Sequence, residues 1–176
     1  FGHRDEPDLA YLLGWCGQSG AVVLTELLRD EGQGVSVDVV AGLQCGGEEA
    51  AKCEVVAEVV PELIPLLKSE DVYMRRQAAD TLSSIGPRAT AAAPQLRALF
   101  KDKDWLVRVH AALAVCRICG DQSRDAMAVL EKLLQDKEVS VRFGTIRGLC
   151  TLCTPESVNM LAGALKHDDV TTRQMA

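Results

Sequence analysis

Four arginines, Arg75, Arg108, Arg142 and Arg173, stand 33, 34 and 31 residues apart, and the sequence around each of them repeats. A period of this size implies stacked copies of one supersecondary unit, which constrains the fold more than any other feature of the chain. Before the arginines, Leu63-Ile64-Pro65-Leu66-Leu67 lies over Leu96-Arg97-Ala98-Leu99-Phe100. Leu130-Glu131-Lys132-Leu133-Leu134 and Leu161-Ala162-Gly163-Ala164-Leu165 continue the series. Each block runs into a short turn: Ser69-Glu70-Asp71, Asp102-Lys103-Asp104, Asp136-Lys137-Glu138 and His167-Asp168-Asp169.

After the arginines, Ala78, Ala79, Leu82 and Ile85 align with Ala111, Ala112, Val115 and Ile118, then with Thr145, Ile146, Leu149 and Leu152. Offsets of 3, 4, 7 and 10 from the arginine mark one face of an α-helix. The leucines of the first block are also at helical spacing. Each unit is therefore read as helix, tight turn, helix. The turn acid is placed to cap the second helix and favour its N-terminal dipole. Pro61, Pro94 and Pro155 fall where first helices begin, a position that tolerates proline. Pro65 falls inside a first helix and is expected to kink it.

The predicted units cover about 59–92, 93–126, 127–157 and 158–176, the last incomplete. Residues 1–58 read as a degenerate N-terminal copy, in which Leu24–Asp30 and Val35–Ala41 stand for the two helices. That segment is acidic, with net charge −8, whereas 59–176 carries +2. One helical hairpin cannot bury both its faces, so neighbours must cover it. The short last unit suggests a fragment of a longer solenoid, and its open face suggests self-association.

The phrases Leu66-Leu67-Lys68-Ser69-Glu70-Asp71-Val72-Tyr73-Met74-Arg75-Arg76-Gln77-Ala78-Ala79, Ile85-Gly86-Pro87 and Asp104–Leu113 resemble HEAT-like repeats, in particular the bacterial type of the phycobiliprotein lyases. The resemblance implies an all-α, right-handed α-solenoid whose second helices line the concave side. It also implies a ladder of Asp71, Asp104, Glu138 and Asp169 with Arg75, Arg108, Arg142 and Arg173.

Composition agrees with a packed stack. Hydrophobic residues are 48% and charged residues 25%, which excludes a disordered chain. Aromatics are 4%, so Leu, Val, Ile and Ala must build the core. The net charge of −6 lacks the basic surplus that neutralises phosphates, and no nucleic-acid partner is expected. No apolar run reaches the ~18 residues of a membrane span. Seven cysteines, an odd number, suit a reducing cytoplasm.

Chemistry-bearing patterns are few. Cys116-x-x-Cys119 and Cys150-x-x-Cys153 could suggest a four-thiolate metal site or a redox pair. Both pairs occupy offsets 8 and 11 from the arginine, where the first unit has Ser83 and Gly86, so core packing is the preferred reading. His3, His110 and His167 share no metal-binding spacing, and no cofactor is expected. The His-Glu pairs of the similar deoxyhypusine hydroxylases are absent, as are phosphate-binding glycine motifs.

Offsets 2, 5 and 9 define the second-helix face that should line the concave side. They place Gln77, Asp80 and Ser84, then His110, Leu113 and Arg117, then Gly144, Arg147 and Thr151 in one row. Gln77, Asp80, His110, Arg117 and Arg147 are the candidate partner-binding residues. The expected function is a non-catalytic scaffold that holds a protein or peptide there. The alternatives are a subunit or chromophore chaperone resembling the bilin lyases, and a thiolate module.

Overall fold

The computed structural model describes residues 59–175. Among them the chain forms eight α-helices and no strand. They pair as α1 (Val60–Leu66) with α2 (Val72–Ile85), and α3 (Ala93–Ala98) with α4 (Trp105–Cys119). They continue as α5 (Arg124–Leu134) with α6 (Val139–Leu152), and α7 (Pro155–Ala164) with α8 (Val170–Met175). Short 3-10 turns at Gly86–Ala92, Leu99–Lys101 and Gly120–Gln122 join them. The degenerate copy expected over 1–58 lies outside the described residues.

The helices start and stop for local reasons. Asp71 accepts a hydrogen bond from the Tyr73 amide, and Asp104 one from the Val107 amide, so the turn acids cap α2 and α4. Glu138 makes no such side-chain bond at α6. Prolines occupy the first turns of α1, α3 and α7. Pro65 sits in the last turn of α1, which ends one residue later. Gly86 (φ +68°) and Gly120 (φ +51°) end α2 and α4 in backbone that L-residues avoid. Cys153 takes the same role after α6, with φ +51°. The third hairpin is offset from the expected 127–157. It starts at Arg124, and α7 starts at Pro155, one of the prolines expected to open a first helix, where Thr154 and Ser157 form a reciprocal capping box.

The second helices stack in order: α2 against α4, α4 against α6, and α6 against α8. The predicted core positions are buried, except Leu152, which is half-buried. Ala78, Ala79, Leu82, Ala111, Ala112, Val115 and Leu149 are each 0% exposed. Alanine at offsets 3 and 4 lets neighbouring second helices approach closely. Helix α4 packs on α2, α3, α5 and α6, and nine of its fifteen residues are buried. A helix covered by neighbours over most of its circumference is apolar over most of it, which explains the run Ala111–Val115.

Two of the arginines join neighbouring units: Arg142 pairs with Asp169, a member of the expected ladder, and Arg75 takes an acid outside it. Each of the four first donates from Nη1 to two carbonyls of its own turn: Arg75 to Ser69 and Glu70, Arg108 to Asp102 and Lys103. Arg142 and Arg173 do the same with Asp136 and Lys137, and with His167 and Asp168. Arg75 then reaches forward to the next unit and grips Asp102 with Nε and Nη2, at 2.8 and 3.0 Å. The partner is Asp102 rather than Asp71 or Asp104, which cap their own helices. Arg142 reaches Asp169 at 3.0 Å and Thr172 at 2.8 Å. In that turn His167 replaces the forward acid, and Asp169 serves as cap and acceptor together. Neither Arg108 nor Glu138 has an ion pair among the described residues.

The thiols also depart from expectation. Cys116 is buried and Cys119 half-buried, but Cys150 and Cys153 are exposed. The packing explanation therefore holds for the second unit and fails for the third. On its forward side α6 meets α7 and the short helix α8, whose Thr172 contacts Arg142 near the opposite end of α6 from Cys150.

Candidate protein-binding groove

Stacking places the same face of α2, α4 and α6 side by side. A groove of about 580 Å³ runs across them. Eight of the nine residues at offsets 2, 5 and 9 line it, including Gln77, Asp80, His110, Arg117 and Arg147. Ser84 is the exception, and Ser83 stands in its place. Periodicity could locate this face because the three helices share one rotational phase.

The residues divide by what already engages them. His110 Nδ1 and the Asp80 carboxylate are in hydrogen-bond contact, which ties α4 to α2. Arg117 donates to Ser83 Oγ on α2 (3.2 Å) and to the Thr151 carbonyl on α6 (2.9 Å), spanning the groove floor. Arg147 instead lies over the Phe143 ring, 5.8 Å from its centroid. Arg76 lies over the Tyr73 ring at 4.8 Å. Gln77 is buried, and its Oε1 has no hydrogen-bond partner among the described residues. Arg76, Ser83, Leu106, Val109 and Gly148 complete the lining, and the repeat alignment had not singled them out. The Tyr73–Arg76 and Phe143–Arg147 spacings, three and four residues, were the available signal.

Two glycines set the depth of the floor. A Cβ at Gly144 would stand 2.4 Å from Trp105 Cζ3, and one at Gly148 would stand 2.5 Å from Leu113 Cδ1. Glycine at both positions lets α6 close on α4.

A second cavity, about 790 Å³, lies where α4, α5 and α7 meet. Cys116, Met127 and Met160 line it together with Asp121, Glu131 and Glu156. The Cys116 thiol lies 3.5 Å from Met127 Sδ. Burial pushes this thiol above its ordinary pKa, so at neutral pH it is protonated and a poor nucleophile. No cluster of three His, Cys, Asp or Glu side chains fit to hold a metal exists among the described residues, so Cys116, Cys119, Cys150 and Cys153 do not converge.

The family pattern for HEAT repeats matches residues 21–116 and 93–176. The chain belongs to the HEAT-repeat proteins. Solved structures share the fold. An engineered protein is similar at 25% identity and TM-score 0.60, over 89% of this chain and 76% of its own. A designed armadillo repeat protein in complex with the peptide (KR)4 is similar at 16% identity and TM-score 0.63, over 97% and 92%. The complex of CpcE and CpcF of phycocyanin lyase, from Nostoc sp., is similar at 20% identity and TM-score 0.55, over 97% and 70%. Comparison with curated proteins gives no match. Among the described residues no helix of this HEAT-repeat chain is long and apolar enough to cross a membrane.

Proposed function

We propose that this HEAT-repeat protein is a non-catalytic scaffold that holds a protein or peptide in the groove of α2, α4 and α6. The observation that carries the reading is the convergence of Gln77, Asp80, His110, Arg117 and Arg147 on one groove spanning three units. A stack of repeats offers such a surface by geometry alone, since curvature follows from the small rotation between units. Peptide binding by a designed protein of similar fold supports it. The likeness to the phycocyanin lyase complex is one of fold and adds no catalytic group. The bound peptide (KR)4 is basic, whereas this groove presents three arginines, so the ligand's charge does not transfer.

Site-specific photo-crosslinking tests the proposal. A photoreactive residue in place of Thr151 stands in the groove, and one in place of Lys132 stands on the exposed side of first helix α5. Protein adducts are expected from the first position and not from the second. Adducts from Lys132 alone would move the binding surface to the outer helices.

A further inference from the structure

Resting on that reading, we propose that the groove's occupant is an extended acidic peptide, clamped at its two ends by Arg76 and Arg147. Three observations carry this. First, the groove is cationic inside a chain of net charge −6. Among the described residues Arg76, Arg117 and Arg147 face one carboxylate, that of Asp80, which His110 already engages.

Second, the arginines are not equivalent. Arg117 is held by Ser83 and Thr151 and shapes the floor. Arg76 and Arg147 make no hydrogen bond or ion pair among the described residues. Each has its guanidinium carbon over an aromatic ring that is itself exposed, Tyr73 at 44% and Phe143 at 41%. Stacking on a ring fixes a guanidinium while leaving its N–H fork open, which is the arrangement that receives a carboxylate bidentately. The ring beside each fork offers apolar contact to the stem of the ligand's side chain.

Third, the Gln77 amide is buried at 8% exposure and lines the groove beside Arg76, with Oε1 unpartnered. A buried acceptor calls for a donor. A simple anion has none, whereas a peptide brings a backbone N–H together with its acidic side chain.

The spacing of the acids follows from the stack. Arg76 and Arg147 lie two units apart, roughly 16–20 Å at ordinary helix-packing distances. An extended chain advances about 3.3 Å per residue, so the two acids should stand about five or six residues apart.

The test is selection of a random twelve-residue peptide library displayed on phage, panned on the full chain. Arg76→Glu/Arg147→Glu, checked for unchanged helicity, is the counter-target. Selected peptides are expected to carry Asp or Glu at two positions five or six apart. Their affinity by fluorescence anisotropy should fall at least about tenfold in the double variant. Gln77→Leu should weaken them further, and Lys substitution of the acids should abolish binding. Groove-dependent peptides without acids would overturn this inference and leave the scaffold reading standing. If every selected peptide binds the double variant equally, the clamp falls, and crosslinking from Thr151 then decides the scaffold reading separately. A labelled oligouridylate that binds the chain and is lost in the double variant, with no acidic peptide selected, would reassign the clamp to nucleic-acid phosphates.

Discussion

Arg75→Met isolates what the inter-unit pairing contributes. The Arg75 and Asp102 side chains are each 8% exposed, and two hydrogen bonds of 2.8 and 3.0 Å join them across units. Removing the guanidinium strands a carboxylate in a nearly closed site, which costs about 3–5 kcal/mol. The same change at Arg108 removes two carbonyl bonds and no ion pair, at a half-buried site where water can replace them. That loss is about 1–2 kcal/mol. The repeat thus supplies its own control: equivalent residues in neighbouring units, differing in one partner. Equilibrium urea unfolding followed by circular dichroism reads the two losses, and Arg75→Met should exceed Arg108→Met by about 2–3 kcal/mol. Asp102→Asn added to Arg75→Met should recover part of the loss, since it removes the stranded charge. Burial of Asp102 pushes its carboxyl pKa up, but the Arg75 and Asp104 hydrogen bonds outweigh this and hold it below the usual range. Equal losses at Arg75 and Arg108, with no recovery in the double variant, would refute a role for the ion pair beyond its turn bonds.

Gly144→Ala should destabilise by about 1 kcal/mol. Overpacking against the Trp105 ring costs about 1–3 kcal/mol and the gain in helix propensity returns about 1. In a Trp105→Leu background the same change should become neutral or stabilising in urea melts. Asp169 is held at about 2 by hydrogen bonds from the Thr172 side chain and backbone, and then from Arg142. Its contribution is therefore complete above the unfolded value near 3.8 and is lost as pH falls toward 2. The stability gap between the protein and Asp169→Asn, followed by thermal melts, should close over that window and stay constant above it. Peptide-resolved alkylation should label Cys150 and Cys153 promptly, and Cys116 only on unfolding. Prompt labelling of Cys116 would show that the α4–α5–α7 cavity opens.

The sequence alone determined the hairpin unit, the buried offsets 3, 4, 7 and 10, and the row facing the groove. Each depends on local helical periodicity, and within one helix the burial of Ala78, Ala79 and Leu82 fixes where Gln77 and Asp80 must face. The capping role of Asp71 and Asp104 was legible for the same reason, since a cap acts within three residues of itself. Tertiary structure alone decided which acid Arg75 takes, that Arg117 is engaged while Arg147 is open, and that Cys150 stays outside the core. Those outcomes join residues some thirty positions apart. They depend on how far one hairpin slides and rotates on the next, and large side chains such as Trp105 resting on Gly144 set that offset. Two units with nearly the same pattern can therefore hold their arginines differently: Asp102 meets Arg75 across the α2–α4 step, while Arg108 finds no such acid at the next.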